Sequence, residues 1–146
     1  MESSPVIESN PIIILDDDQD DLDLIREAAE SLGITRPIRY FSTGDELVAF
    51  LEHSELSPYL IISDVNLPGA DGFAVRQRIT EHATLRYKSV PFIFWSTSAS
   101  ERQIQHAYDL PAQGFFVKAQ NFTELCDTFQ TILHYWAKSL HPKKVS

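Results

Sequence analysis

Four apolar segments of this sequence end in polar residues that could take part in one reaction. Asp16 and Asp17 come directly after the segment PIIIL, and Asp64 follows LIIS. Ser96 follows PFIFW, and Lys118 follows GFFV. A carboxylate beside a hydroxyl, an amine and further carboxylates has the parts needed to accept a phosphoryl group. That chemistry requires a fold that brings these side chains together.

The apolar segments have the length and composition of buried strands. Five strands are predicted, at residues 11–15, 37–41, 57–63, 91–95 and 114–117. Between them, apolar residues recur at helical spacing, for example Leu22, Ile25 and Ala29. Strands that alternate with helices predict an α/β fold, in which a parallel sheet carries helices on both faces through right-handed crossovers.

Three pairs of residues have the spacing of a helix cap and indicate where helices begin. In each pair a Ser, Thr or Asn is followed three residues later by Glu. The pairs are Thr43 with Glu46, Ser98 with Glu101, and Asn121 with Glu124. The last pair precedes a long apolar stripe, which predicts that the final helix packs against the sheet.

Because all strands of a parallel sheet end at the same edge, the polar residues are expected to share one pocket. Two carboxylates about 4 Å apart repel by roughly 4 kcal/mol at an effective dielectric constant near 20, so Asp16, Asp17 and Asp64 need cations beside them. Lys118 supplies one positive charge, and a divalent metal ion would supply the rest. An all-oxygen site suits Mg²⁺. Asp64 would then be the nucleophile, and Ser96 would bind a transferring oxygen.

The order of these motifs resembles the receiver domain of two-component response regulators. An acidic pair after the first strand, an Asp after the third, a hydroxyl after the fourth and a Lys after the fifth follow the family's order. The resemblance covers nearly the whole chain and implies a flavodoxin-like, doubly wound (βα)5 fold with strand order 2-1-3-4-5. It also implies a signalling protein, phosphorylated on Asp64, that catalyses at most its own phosphorylation and dephosphorylation.

The resemblance assigns metal-binding roles to residues near the phosphoacceptor Asp64. It implies that Asp17 binds Mg²⁺ directly and that Asp16 binds the ion through water or acts as a hydrogen-bonding neighbour. Asn66 would bind the ion through its main-chain carbonyl oxygen. The side chain of Asn66 would then have no part in the chemistry.

The resemblance further implies that Ser96 and Lys118 contact the phosphoryl group and that Phe115 is the aromatic switch residue. Three positions depart from the family's usual residues. Ala119 stands where Pro is usual, and because a non-proline cis bond costs about 3 kcal/mol, the bond before it is expected to be trans. Thr97 replaces a smaller residue and is expected to hinder water and prolong the phosphorylated state. Phe115 lacks the hydroxyl of the commoner Tyr, so its switching would rest on packing.

Two other interpretations use the acidic run after the first strand. Asp16, Asp18, Asp20 and Glu27 fit four positions of an EF-hand calcium loop, but Asp21 stands where that loop needs Gly, and a strand precedes the run. A haloacid-dehalogenase-like phosphatase would use Asp16 as its nucleophile, but the acidic pair that this family places after its Lys is missing. The phosphatase is the alternative function that the sequence leaves open.

The composition limits the partners and the setting. The 146 residues suffice for one domain, predicted at residues 10–138 between a flexible lead (1–9) and a tail (139–146). A net charge of −9 argues against nucleic-acid binding. No signal peptide and no apolar run of the roughly twenty residues that a membrane helix requires is evident. With Cys126 as the single cysteine, a reducing, cytoplasmic setting is expected.

These inferences predict a stand-alone receiver that takes a phosphoryl group from a sensor histidine kinase or a histidine phosphotransfer protein in a Mg²⁺-dependent reaction. Its output would be a changed affinity for a protein partner. The surface expected to change is formed by the fourth helix, the fifth strand and the fifth helix, where Tyr108 and Phe115 lie. A homodimer through this surface is also compatible with the sequence.

Overall fold

Strands and helices alternate along the whole described part of the chain. The computed structural model describes residues 10–55, 57–69, 71–82, 90–110 and 112–139. In chain order, the elements are β1 (Ile12–Leu15), α1 (Gln19–Ser31), β2 (Ile38–Phe41), α2 (Gly44–His53), β3 (Leu60–Ser63), α3 (Gly72–Glu81), β4 (Phe92–Ser96), α4 (Glu101–Asp109), β5 (Gly114–Val117) and α5 (Phe122–Lys138). The predicted lead at 1–9, the connection at 83–89 and the tail beyond Ser139 lie outside the described residues.

The five strands form one parallel sheet in the order β2-β1-β3-β4-β5. This order confirms the predicted doubly wound fold. All side chains of the three central strands β1, β3 and β4 are buried, whereas the edge strands β2 and β5 are partly exposed. A strand covered on both faces needs apolar residues throughout, which explains the unbroken apolar runs in the sequence.

Successive residues of the central strands point into two separate cores. Ile12 and Ile14 pack in the core that α1 and α5 cover, together with Phe129. Ile13 and Leu15 pack in the other core, with α2, α3 and α4. This alternation places helices on both faces of the sheet and directs the carboxyl ends of all strands to one edge.

Two of the three predicted helix starts are confirmed, and one is wrong. The side chains of Thr43 and Asn121 cap α2 and α5. Ser98 does not cap α4. Three residues, 97–99, separate the end of β4 from the residue that caps the helix. The cap is Ser100, whose hydroxyl accepts a hydrogen bond from the Gln103 N–H (3.1 Å), while the Gln103 side chain accepts one from the Ser100 N–H (3.0 Å). The pair Ser100 and Gln103 has the same spacing as the predicted pair Ser98 and Glu101, two residues later in the chain. The loop after β4 is long enough for only the later pair to form the cap.

Gly72, the first residue of α3, packs directly against the backbone that carries Asp64. A Cβ atom at this position would clash with the Asp64 carbonyl oxygen and lie 3.1 Å from the ring of Phe94. The Gly72 N–H also donates a hydrogen bond to the carbonyl of Val65 (2.7 Å). The start of α3 can therefore approach the Asp64 loop only because residue 72 has no side chain.

We expect Gly72→Ala to lower the free energy of unfolding by about 1–3 kcal/mol, the usual range for an overpacked site. Urea denaturation followed by circular dichroism measures the change. The exposed Gln77, on the same helix, provides a control, and Gln77→Ala should shift the free energy of unfolding by no more than about 0.5 kcal/mol. Equal stability of Gly72→Ala and Gln77→Ala would contradict the close approach.

Among the described residues, no helix combines the length and the apolar character needed to cross a bilayer.

Candidate functional site

The carboxyl ends of β1, β3 and β5 and the start of α1 bring an amine and three acids into contact. The Lys118 ammonium donates hydrogen bonds to one oxygen of Asp16, to Asp21 Oδ2 at 2.9 Å and to Asp64 Oδ2 at 3.1 Å. The convergence expected for Asp16, Asp64 and Lys118 is therefore present in the structure. Asp21 joins them from the first turn of α1.

Lys118 and its partners are shielded from solvent to different degrees. The exposed fractions of the side chains are 4% for Lys118, 2% for Asp16, 9% for Asp64 and 23% for Asp21. Burial alone would lower the pKa of Lys118, but the charge of Asp16 and the hydrogen bonds of Asp16 and Asp21 raise it above its usual value. Burial raises the pKa of Asp16 to about 6, although Lys118 offsets part of this effect. The ammonium thus stays charged inside the site.

The two carboxylate oxygens of Asp64 have different partners. Oδ1 accepts hydrogen bonds from the N–H groups of Val65 (2.7 Å) and Asn66 (3.3 Å), whereas Oδ2 contacts Lys118. The backbone just after β3 therefore fixes the orientation of the carboxylate. A nucleophile held in one orientation loses little entropy when it meets its substrate.

Three carboxylates at this edge fit a divalent metal ion. Asp16, Asp17 and Asp64 each offer an oxygen, and these oxygens lie within 4.8 Å of one another. Asp17 is exposed, while the other two are buried, so the cluster opens to solvent on one side. Hard oxygen ligands with room for water suit ions such as Mg²⁺ and Mn²⁺. Lys118 balances only one of the three charges, which leaves the cluster favourable for a cation.

Ser96 ends β4 beside the end of β5, and its carbonyl accepts a hydrogen bond from the Lys118 N–H (2.8 Å). Its side chain is fully buried, and its hydroxyl accepts a long hydrogen bond from the Ser98 N–H (3.5 Å). Among the described residues, no hydrogen bond joins this hydroxyl to Asp64. Thr97, the next residue, is exposed at the same edge. Both residues therefore lie where the sequence placed them, at the end of β4.

Phe115 lies within β5, behind the site. Its half-buried ring is 5.9 Å from the ring of Phe94 on β4, which in turn stacks edge-on against Phe73 of α3 at 5.0 Å. A row of aromatic rings thus runs from the edge strand into the core. The described residues contain no cis peptide bond, so the bond between Lys118 and Ala119 is trans, as expected.

The contact between Asp21 and Lys118 was not predicted from the sequence. In the sequence, Asp21 was noted only as the residue that stands where an EF-hand loop needs Gly. The spacing of Asp21 could have indicated this contact. Asp21 precedes the buried Leu22 by one residue and the buried Ile25 by four, so it lies beside the buried face of the helix. An acid at that position points toward the sheet edge instead of the solvent.

Comparison with known proteins decides the family. The sequence model of the response regulator receiver domain matches residues 12–130, most of the chain. The protein belongs to the response regulator receiver family. Members of this family are phosphoacceptor signalling proteins, so the match favours the receiver interpretation over the phosphatase alternative. The receiver fold and the edge of the sheet that carries Asp64 agree with the arrangement that the sequence predicted.

Similar receiver proteins cover nearly the same length as this chain. Response regulator Rcp1 of Synechocystis is 28% identical over 141 residues, which span 91% of this chain and 95% of Rcp1. The phosphorylated cyanobacterial phytochrome response regulator RcpA is 29% identical, with a TM-score of 0.80 over 92% of this chain and 99% of that protein. The Mn²⁺-bound form of Rcp1 gives a TM-score of 0.76 at 26% identity, over 90% of this chain and 96% of that one. The resemblance thus extends over a whole receiver.

Proposed function

We propose that this receiver accepts a phosphoryl group on Asp64 in a Mg²⁺-dependent reaction. The observation that carries the proposal is the Lys118 ammonium, which contacts Asp64 beside the carboxylates of Asp16 and Asp17. The donor we propose is the phosphohistidine of a sensor histidine kinase or of a histidine phosphotransfer protein. The phosphorylated RcpA and the Mn²⁺-bound Rcp1 support this chemistry by similarity.

In the transfer, a carboxylate oxygen of Asp64 attacks phosphorus and forms a new P–O bond. The P–N bond of the phosphohistidine breaks, and its electron pair remains on the imidazole nitrogen. The product is an acyl phosphate, and the backbone N–H groups of Val65 and Asn66 keep the carboxyl group oriented. Lys118 and Ser96 bind oxygens of the phosphoryl group as its geometry changes.

Magnesium, when bound, would neutralise negative charge on the phosphoryl oxygens. We propose that Asp17 and Asp64 bind the ion directly, with Asp16 acting through water or as a hydrogen-bonding neighbour. The main-chain carbonyl of Asn66 is the fourth contact that we propose. Asp17 is the exposed member of the three carboxylates, so we expect an incoming ion to meet it first.

The output that we propose is a changed affinity for a protein partner. Phe115 would couple the site to the surface formed by α4, β5 and α5, which we call the 4-5-5 surface. Tyr108, Val117 and Tyr135 are exposed there, and a cavity of about 330 Å³ lies between α4, β5 and α5. Exposed aromatic residues are typical of interaction surfaces. A second copy of the chain is one partner that this surface could take. The setting that we propose is the cytoplasm, which fits a histidine kinase or phosphotransfer protein as the donor.

Labelling with a small phosphoryl donor tests the proposal directly. The wild-type chain is incubated with acetyl phosphate and either Mg²⁺ or EDTA, and intact-protein mass spectrometry follows the gain of one phosphoryl group. We expect labelling with Mg²⁺ and none with EDTA. Equal labelling in EDTA, or none in either condition, would refute the proposed reaction. A pull-down with phosphorylated and unphosphorylated chain then reveals which partners depend on the phosphoryl group.

Thr97 is expected to prolong the phosphorylated state, because its exposed side chain directly follows Ser96 at the site's edge of the sheet and would hinder the approach of water. We expect Thr97→Ala to lose its phosphoryl group several-fold faster, roughly the effect of about 1 kcal/mol on the barrier. Decay of the labelled protein after removal of the donor measures the rate constant. Thr80→Ala, on α3, is the control and should decay like the wild type. A Thr97→Ala decay no faster than that of Thr80→Ala would contradict the role of Thr97.

A further inference from the structure

The Lys118 ammonium has three carboxylate partners, and one of them lies outside the metal cluster. Asp16 and Asp64 belong to the group of acids that fits a divalent ion, whereas Asp21 does not. Asp21 Oδ2 lies 2.9 Å from Lys118 Nζ, closer than Asp64 Oδ2 at 3.1 Å. The three contacts are therefore expected to change differently when a divalent ion binds and when Asp64 is phosphorylated.

Two of the three contacts weaken during the proposed reaction. A divalent ion competes with Lys118 for the negative charge of Asp16, since both cations are drawn to the same carboxylate. Phosphorylation then removes the negative charge of the Asp64 carboxylate, because one of its oxygens becomes part of the acyl phosphate. Only the contact with Asp21 is untouched by both events. Of the three carboxylates, Asp21 is thus the one that can hold the ammonium throughout, before the phosphoryl oxygens arrive and after they have replaced the charge of Asp64.

We propose that Asp21 is a positioning residue that keeps the Lys118 ammonium against Asp64 once a divalent ion has bound. This inference rests on the proposed function, since it concerns the same site. Asp21 does not touch the reacting atoms. It acts through Lys118, whose flexible four-carbon side chain would otherwise be able to leave the site once the metal ion weakens its contact with Asp16.

The position of Asp21 suits this task because the start of α1 is well anchored. Asp18 caps the helix, and its carboxylate accepts hydrogen bonds from the N–H groups of Asp20 (2.9 Å) and Asp21 (3.4 Å). The N–H of Asp18 donates in turn to Asp16 Oδ1 (2.9 Å). The amino-terminal end of the helix dipole also favours a negative charge at Asp21. The helix backbone, instead of a mobile loop, therefore carries the carboxylate that holds the lysine.

Two variants with the same change of net charge test the role of Asp21. Asp21→Asn removes one of the three ionic partners of Lys118. Asp20→Asn changes an exposed side chain of the same turn that makes no hydrogen bond or ion pair within the described residues. Phosphorylation by acetyl phosphate is measured over a series of Mg²⁺ concentrations. We expect the limiting rate at saturating Mg²⁺ to fall about tenfold in Asp21→Asn, as for a displaced catalytic group, and to stay at the wild-type value in Asp20→Asn.

The Mg²⁺ concentration at half-saturation separates positioning from general electrostatics. Because both variants remove one negative charge, a purely electrostatic effect would appear in this concentration, more weakly for the exposed Asp20 than for Asp21. Asp21→Glu restores the charge at the same position and should recover part of the limiting rate. A limiting rate that falls equally in both Asn variants, or that stays unchanged in Asp21→Asn, would overturn the inference.

A second measurement tests the lysine contact without any phosphoryl transfer. The nitrogen-15 signal of a hydrogen-bonded, buried ammonium is visible only while its protons exchange slowly with water. In the Mg²⁺-loaded wild type and in Asp20→Asn we expect the Lys118 signal to persist, and in Asp21→Asn we expect it to vanish. Persistence in Asp21→Asn would overturn the inference. Failure of the wild type to become labelled would instead refute the proposed function, so the two failures are distinct.

Discussion

Replacement of Asp64 by Asn is expected to abolish labelling by acetyl phosphate, with a loss of at least about a hundredfold, because a carboxamide is a poor nucleophile. The fold should be retained. The side-chain oxygen of Asn can still accept hydrogen bonds from the N–H groups of Val65 and Asn66, and Lys118 keeps Asp16 and Asp21 as partners. Intact-protein mass spectrometry measures labelling, and thermal unfolding confirms the fold.

Two further variants make this result specific. Asp127→Asn removes an exposed carboxylate of α5 and should label like the wild type. Asp16→Asn should slow labelling, because it weakens the metal cluster, but should leave the phosphoryl group on Asp64. The haloacid-dehalogenase-like alternative predicts the reverse, with Asp16 essential and Asp64 dispensable. Borohydride reduction of the acyl phosphate followed by peptide mapping identifies the labelled residue, and a label on Asp16 would refute our assignment.

The sequence predicted the edge of the sheet where the site lies because strand ends are marked by simple physical signals. A short apolar run such as Ile12–Leu15 is typical of a strand buried on both faces, and the first charged residue after such a strand is expected at the rim. The same argument placed Asp64 and Lys118. Since parallel strands share one rim, residues about fifty positions apart in the chain were correctly brought together.

Features that depend on the path of a loop or the tilt of a helix could not be predicted in this way. The start of α4 depends on how many residues the chain needs to turn after Ser96, and the predicted cap, Ser98, lies two residues before the actual cap, Ser100. The contact of Asp21 with Lys118 depends on how α1 lies across the rim. Both features are set by packing between elements, which a local pattern does not contain. In each case the sequence contains a local pattern that fits the structure, but the same stretch also fits another arrangement.

Lys118→Met is expected to destabilise the metal-free protein strongly, because it removes the ammonium that contacts two buried carboxylates. Asp16 and Asp64 are 2% and 9% exposed, and Lys118 lies between them. Loss of one partner from a buried ion pair costs about 3–5 kcal/mol. Urea denaturation in EDTA measures the free energy of unfolding. Lys138→Met, at the exposed end of α5, is the control and should match the wild type to within about 0.5 kcal/mol.

Magnesium should restore more stability to Lys118→Met than to the wild type. In the wild type, we expect Lys118 and the ion to compete for Asp16, whereas the variant lacks the ammonium that contacts this carboxylate. A ligand that binds only the folded state stabilises it in proportion to the logarithm of its concentration over its dissociation constant, so tighter binding appears as a larger gain. Parallel denaturation curves with Mg²⁺ and with EDTA measure both gains. An equal gain in the two proteins would show that Lys118 and the metal ion do not share the charge of Asp16.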